Sequence, residues 1–104
     1  MRYLLNAPVL TSCGLYRMRP LSLARARLLA RGPLVSAVGH AATAQHLGRL
    51  LGVEVPEHRQ TIRMLPGDDA LVFRLLQRPP EGVIHDADAL QACAQEFAFL
   101  RRLA

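Results

Sequence analysis

Proline and glycine cut this chain into short pieces. All seven prolines, and every glycine except Gly48, stand where a regular segment has to stop: Pro8, Gly14, Pro20, Gly32-Pro33, Gly39, Gly52, Pro56, Pro66-Gly67, Pro79-Pro80 and Gly82. Proline lacks a backbone N–H and has a fixed φ, while glycine reaches turn conformations at no steric cost. Most of the intervals hold one strand or a few turns of helix, so the fold has to be assembled from many short elements. A chain of 104 residues makes one domain, spanning 1–104. With 51% hydrophobic and 20% charged residues it is globular, not disordered, collagen-like or coiled-coil.

Reading along the chain, Arg2 to Leu5 is an apolar run that stops at Asn6-Ala7-Pro8 and predicts a first strand. Residues 8 to 14 read as a loop, and Leu15 to Arg19 as a second strand. Ser22 is a good N-cap for a helix over Leu23 to Ala30, with Gly32 at its C′ position and Arg25 and Arg27 on its solvated face. Leu34 to Val38 predicts a strand. A second helix runs from about Thr43 to Leu51, with Ala44, Leu47, Leu50 and Leu51 at helical spacing and Gly52 as its stop. Arg59 to Leu65 and Ala70 to Gln77 read as two strands of a hairpin joined by Pro66-Gly67-Asp68-Asp69. A helix over Asp86 to Ala94, capped by Asp86 or Asp88, and a strand over Glu96 to Leu100 complete the pattern. The alternation predicts an α+β fold, a mixed β-sheet flanked by helices.

The charge is one-sided. Thirteen basic residues face eight acidic ones, for a net charge of +5, and every basic residue is arginine. Guanidinium forks suit phosphate, and a positive field speeds the capture of anions. Cys13 and Cys93 match no metal spacing and read as reduced thiols. The stretch after Met1-Arg2 is broken early by Asn6 and Pro8, which does not fit a secretory signal, and no apolar run approaches membrane length. The expectation is a cytoplasmic protein.

Two stretches invite chemistry. In Ser36-Ala37-Val38-Gly39-His40 a strand ends, a glycine turns the chain and a histidine stands at the start of a helix, where free N–H groups favour an anion. In Gln77-Arg78-Pro79-Pro80-Glu81-Gly82, two prolines stiffen the loop that carries Arg78. Each stretch taken alone also describes an ordinary turn or surface loop. His40 and His46 are spaced six apart and do not share a helical face as a metal pair would. His58 and His85 read as surface histidines. Few aromatics and no Trp argue against a base-stacking platform.

Together these stretches resemble the viral anti-CRISPR ring nucleases and their CRISPR-associated relatives. The resemblance rests on Ser36-Ala37-Val38-Gly39-His40-Ala41-Ala42-Thr43-Ala44-Gln45, on Leu50-Leu51-Gly52-Val53-Glu54-Val55-Pro56 with Arg59, on Leu4-Leu5-Asn6-Ala7, and on Ala70-Leu71-Val72-Phe73 through Gly82, in that family's order and spacing. It implies a homodimer that cleaves cyclic tetra-adenylate, the second messenger of type III CRISPR defence, without metal or cofactor. It assigns the catalytic roles to His40, Arg78 and Glu81, with Glu81 orienting either His40 or Arg78. It assigns ligand binding to Asn6, Thr11, Thr43, Arg59 and Gln77. Neither a membrane nor duplex nucleic acid is an expected partner. The chain departs from the viral pattern at Ala41 and Ala42, where an acidic residue and a Ser would stand, and at Arg74 in place of a Gln. A protein that binds the ring without cutting it is the alternative.

Overall fold

The structure is a computed structural model, described over residues 1–7, 12–75 and 95–104. Its elements are β1 (Arg2–Leu5), β2 (Tyr16–Leu21), α1 (Leu23–Leu29), β3 (Val35–Ser36), α2 (Ala41–Leu51), β4 (Asp69–Leu75) and β5 (Gln95–Arg102). The five strands form one sheet in the order β2-β5-β4-β1-β3. β1 is parallel to both β3 and β4, and β5 is antiparallel to β4 and β2. The α+β class with a mixed sheet is as the pattern predicts.

Local chemistry explains most element boundaries. The Ser22 hydroxyl accepts the Arg25 N–H at 3.2 Å and starts α1. α1 closes earlier than expected: Ala30 is the C-cap, its N–H bonded to Ala26, and Gly32 does not take a positive φ. α2 begins at Ala41 rather than Thr43 and ends on Gly52, whose φ of 70° suits glycine. β3 shrinks to two residues. β2 runs on through Pro20 to Leu21, which a strand at the edge of a sheet tolerates because its outward positions need no N–H.

The expected 59–65 strand and its hairpin with β4 do not form. β1 pairs along Asp69–Val72 on one side of β4 and β5 along Asp69–Leu75 on the other, so the half of β4 next to the turn has no free edge. Residues 59–65 instead carry Ile62 and Met64 against one face of the sheet, beside Tyr3, Leu5, Val72 and Leu100. The turn at Pro66-Gly67 is present, with Gly67 at φ 92°. The helix expected over 86–94 lies outside the described residues.

Both helices cover the opposite face. Ala26 of α1, its C-cap Ala30, and Ala44, Leu47 and Leu51 of α2 pack on Leu4, Leu71, Phe73 and Phe97. Burying such side chains stabilises the fold by about 1.5–3 kcal/mol each for the larger ones. Arg27 is exposed yet not merely solvated: its Nε donates to the Leu50 carbonyl at 2.7 Å and ties α1 to α2.

Candidate functional site

β1 lies between β3 and β4, and the chain reaches these two parallel neighbours on opposite sides of it. In open sheets of this kind a crevice forms beyond the carboxyl ends of the strands, where the connections part. Asn6 follows β1 at that edge, and Ala37 through His40 follow β3 into α2. A cavity of about 190 Å3 opens there, lined by residues that include Leu5, Asn6, Ala37, Gln60 and Ile62.

The walls of this edge are held by polar bonds that local sequence reading did not anticipate. The Ser36 hydroxyl donates to the Pro56 carbonyl at 2.7 Å and accepts the Val38 N–H at 3.3 Å. The His58 N–H donates to the Val38 carbonyl at 2.8 Å. Gln60 Nε2 donates to the Ser36 carbonyl at 2.7 Å and to His58 Nδ1 at 3.0 Å. Residues 56–60 are thereby laid along the turn from β3 to α2. This brings the stem of Arg59 against Gly39, where an added Cβ would meet Arg59 Cγ at 3.2 Å.

His40 is the N-cap of α2. Its backbone is extended, at φ −128° and ψ 131°, and its carbonyl accepts the Ala44 N–H at 2.9 Å. Its imidazole is exposed and makes no capping bond. The first turn of α2 holds no acidic residue, so the positive end of the helix is not neutralised from within. Thr43 lies one turn further on and is buried. Asn6 lines the cavity, whereas His40, Thr43 and Arg59 do not: His40 and Thr43 stand at the start of α2, and Arg59 packs its stem on the Gly39 turn before it. Thr11, Gln77, Arg78 and Glu81 lie outside the described residues.

His46 is an interior residue of α2. It is 1% exposed, its Nε2 donates to Gln95 Oε1 at 2.6 Å, and its ring meets the edge of Phe73. Position 46 stands one turn before Leu50, at the border of the apolar stripe of α2, so the periodicity alone did not fix it as interior. Among the described residues no group of three or more His, Cys, Asp or Glu is placed to hold a metal ion, and no helix is long and apolar enough to cross a membrane.

The strongest electrostatic shifts lie at the other end of the sheet. Both Asp69 oxygens accept from Arg2, at 2.7 and 3.1 Å, and this bonding raises the Arg2 pKa above its usual value. The Leu65 N–H, followed by the amino terminus, holds the Asp68 carboxyl below the usual carboxylate range.

The chain resembles known proteins along nearly its whole length. Residues 2–99 match the STIV B116-like family. Uncharacterized protein YddF of Bacillus subtilis (strain 168) is 33% identical over 102 residues, covering 95% of this chain and 94% of its own. Uncharacterized protein ORF117 of Acidianus two-tailed virus is 37% identical over 70 residues, covering 66% of this chain and 60% of its own. The structure of B116 of Sulfolobus turreted icosahedral virus superposes with a TM-score of 0.73 at 23% identity, covering 97% of this chain and 98% of that one. The family match, the YddF likeness and the shared fold agree: the chain belongs to the STIV B116-like family.

Proposed function

We propose that this protein is a metal-independent ring nuclease that opens cyclic tetra-adenylate. The observation that supports it best is that the Arg59 stem packs on Gly39, the residue before His40, at an un-neutralised helix start whose free N–H groups favour an anion. In the proposed reaction a ribose 2′-oxygen attacks its adjacent phosphorus and gives up its proton to solvent. The bond from phosphorus to the 5′-oxygen breaks, and the His40 imidazolium protonates that oxygen. The products are linear di-adenylates ending in a 2′,3′-cyclic phosphate. Histidine suits this work because its ordinary pKa lies near neutrality, and a bound phosphate favours its charged form. Asn6, Thr11, Thr43, Arg59 and Gln77 hold the ring in this reading. Arg78 offsets charge on the phosphoryl oxygens, and Glu81 orients His40 or Arg78.

A homodimer completes the reading. A two-fold axis presents the same surface twice to a rotationally symmetric ring, and each chain contributes a net charge of +5 toward four phosphates. A second reading, binding without cleavage, is favoured by Ala41 and Ala42, which leave the first turn of α2 without a hydroxyl before Thr43. Incubation of the purified protein with labelled cyclic tetra-adenylate in EDTA separates the two. Linear di-adenylates accumulating over time are the expected result. An intact ring that stays bound selects the second reading, and an intact ring that does not bind overturns both.

A further inference from the structure

The arginines are distributed unevenly over the sheet. Arg17 and Arg101 are directly opposite one another in the β2–β5 ladder, so their side chains share a face. Like charges in that relationship destabilise a sheet. Asp69 is the acidic neighbour in the same cross-strand row, and both of its oxygens accept from Arg2. One row along, Arg19 stands opposite Phe99 with its guanidinium 5.9 Å from the ring centre. Arg25 reaches the same region from α1. All four arginines are exposed, and none forms an ion pair among the described residues.

These side chains surround a hollow. A cavity of about 410 Å3 is lined by Arg19, Leu21, Arg25, Leu28, Leu29 and Phe99. A second, of about 140 Å3, adjoins it through Arg19 and Phe99 and extends to Arg17, Arg101 and Leu103. The floor is aliphatic and Leu28 is 59% exposed. The region lies toward the start of the parallel strands β1 and β4, at the end of the sheet away from His40.

We infer that this groove is a docking surface for an acidic, amphipathic segment of another protein. Such a segment sets leucine-like side chains on the floor and its carboxylates against the guanidinium rim, which relieves the Arg17–Arg101 repulsion. A nucleic acid would answer the charge but leave the aliphatic floor unmatched, and Arg19 already stands over Phe99, the aromatic ring of the groove among the described residues. A second copy related by a two-fold axis through Phe99 would bring the same arginines against each other. The inference is independent of the chemistry at His40.

The test uses the whole protein and a synthetic peptide with leucines at helical spacing and glutamates between them. Titration followed by NMR is expected to show saturable binding with shifts at Leu28 and Phe99. The combined Arg17→Glu, Arg19→Glu and Arg101→Glu variant, its fold verified by circular dichroism, is expected to lose about tenfold or more in affinity. The same peptide with lysine for glutamate is expected to bind that variant and not the parent. Failure of the peptide to saturate, or equal binding of both peptides by the parent, overturns the inference. So does tighter occupation of the groove by oligothymidylate, or self-association of the parent through it.

Discussion

The stem of Arg59 rests on the backbone of Gly39, so the turn that delivers His40 to α2 and the loop that delivers Arg59 are one packed unit. Gly39 has no positive φ, and its need for glycine comes from the neighbour rather than from its own conformation. Gly39→Ala is therefore expected to displace Arg59 while costing less than about 1 kcal/mol of stability, because an exposed arginine stem yields easily. Titration with cyclic tetra-adenylate is expected to show a loss of affinity comparable to that of Arg59→Ala. An affinity equal to the parent's would separate Arg59 from the ligand.

His40→Ala is expected to leave stability within about 0.5 kcal/mol, since the exposed imidazole makes no capping bond. On the proposed mechanism, single-turnover cleavage in EDTA falls by about 10²–10⁴, with binding retained. Unchanged cleavage removes His40 from the general-acid role.

His46 and His58 are expected to differ sharply. His46→Ala opens space beneath Phe73 and removes the bond to Gln95, at a cost of about 2–4 kcal/mol. His58 is exposed, and His58→Ala is expected to cost no more than about 0.5 kcal/mol. Urea titrations of both variants check the contrast.

Gly52→Ala places a Cβ on a residue at φ 70° and is expected to cost about 1 kcal/mol. That lowers the melting temperature by about 4–8 °C in a domain of this size. Scanning calorimetry of this variant beside Gly32→Ala, where φ is not positive, tests the assignment of the two helix ends.

Acid stability is expected to depend on Asp68. The Leu65 N–H and then the amino terminus, at 2.9 and 3.0 Å, favour its charged form, so its folded pKa is lowered. A lowered carboxylate pKa adds stability that is fully present above the unfolded value of about 4 and is lost as pH falls through the folded value. Asp68→Asn is expected to be less stable at neutral pH and to show a shallower decline as pH falls below about 4. An unchanged acid limb in denaturant titrations would remove Asp68 from that role.

Features governed by neighbours along the chain were legible in the sequence. The Ser22 cap, the glycine stop at Gly52, the Pro66-Gly67 turn and the cores of β1, β4 and β5 each follow from residues a few positions apart. The candidate residues Asn6, His40, Thr43 and Arg59 were named from the sequence as well, but nothing local places Arg59 on Gly39. That required the Ser36 and Gln60 side chains to bond across 20 and 24 residues. The 59–65 segment has a strand-like composition and still forms no strand, because β1 and β5 leave the half of β4 next to the turn no free edge. The tertiary structure likewise decided that Arg17 and Arg101 face each other across a ladder while Asp69 is committed to Arg2. Strand register and competition for a pairing edge are properties of the whole sheet, which local spacing does not encode.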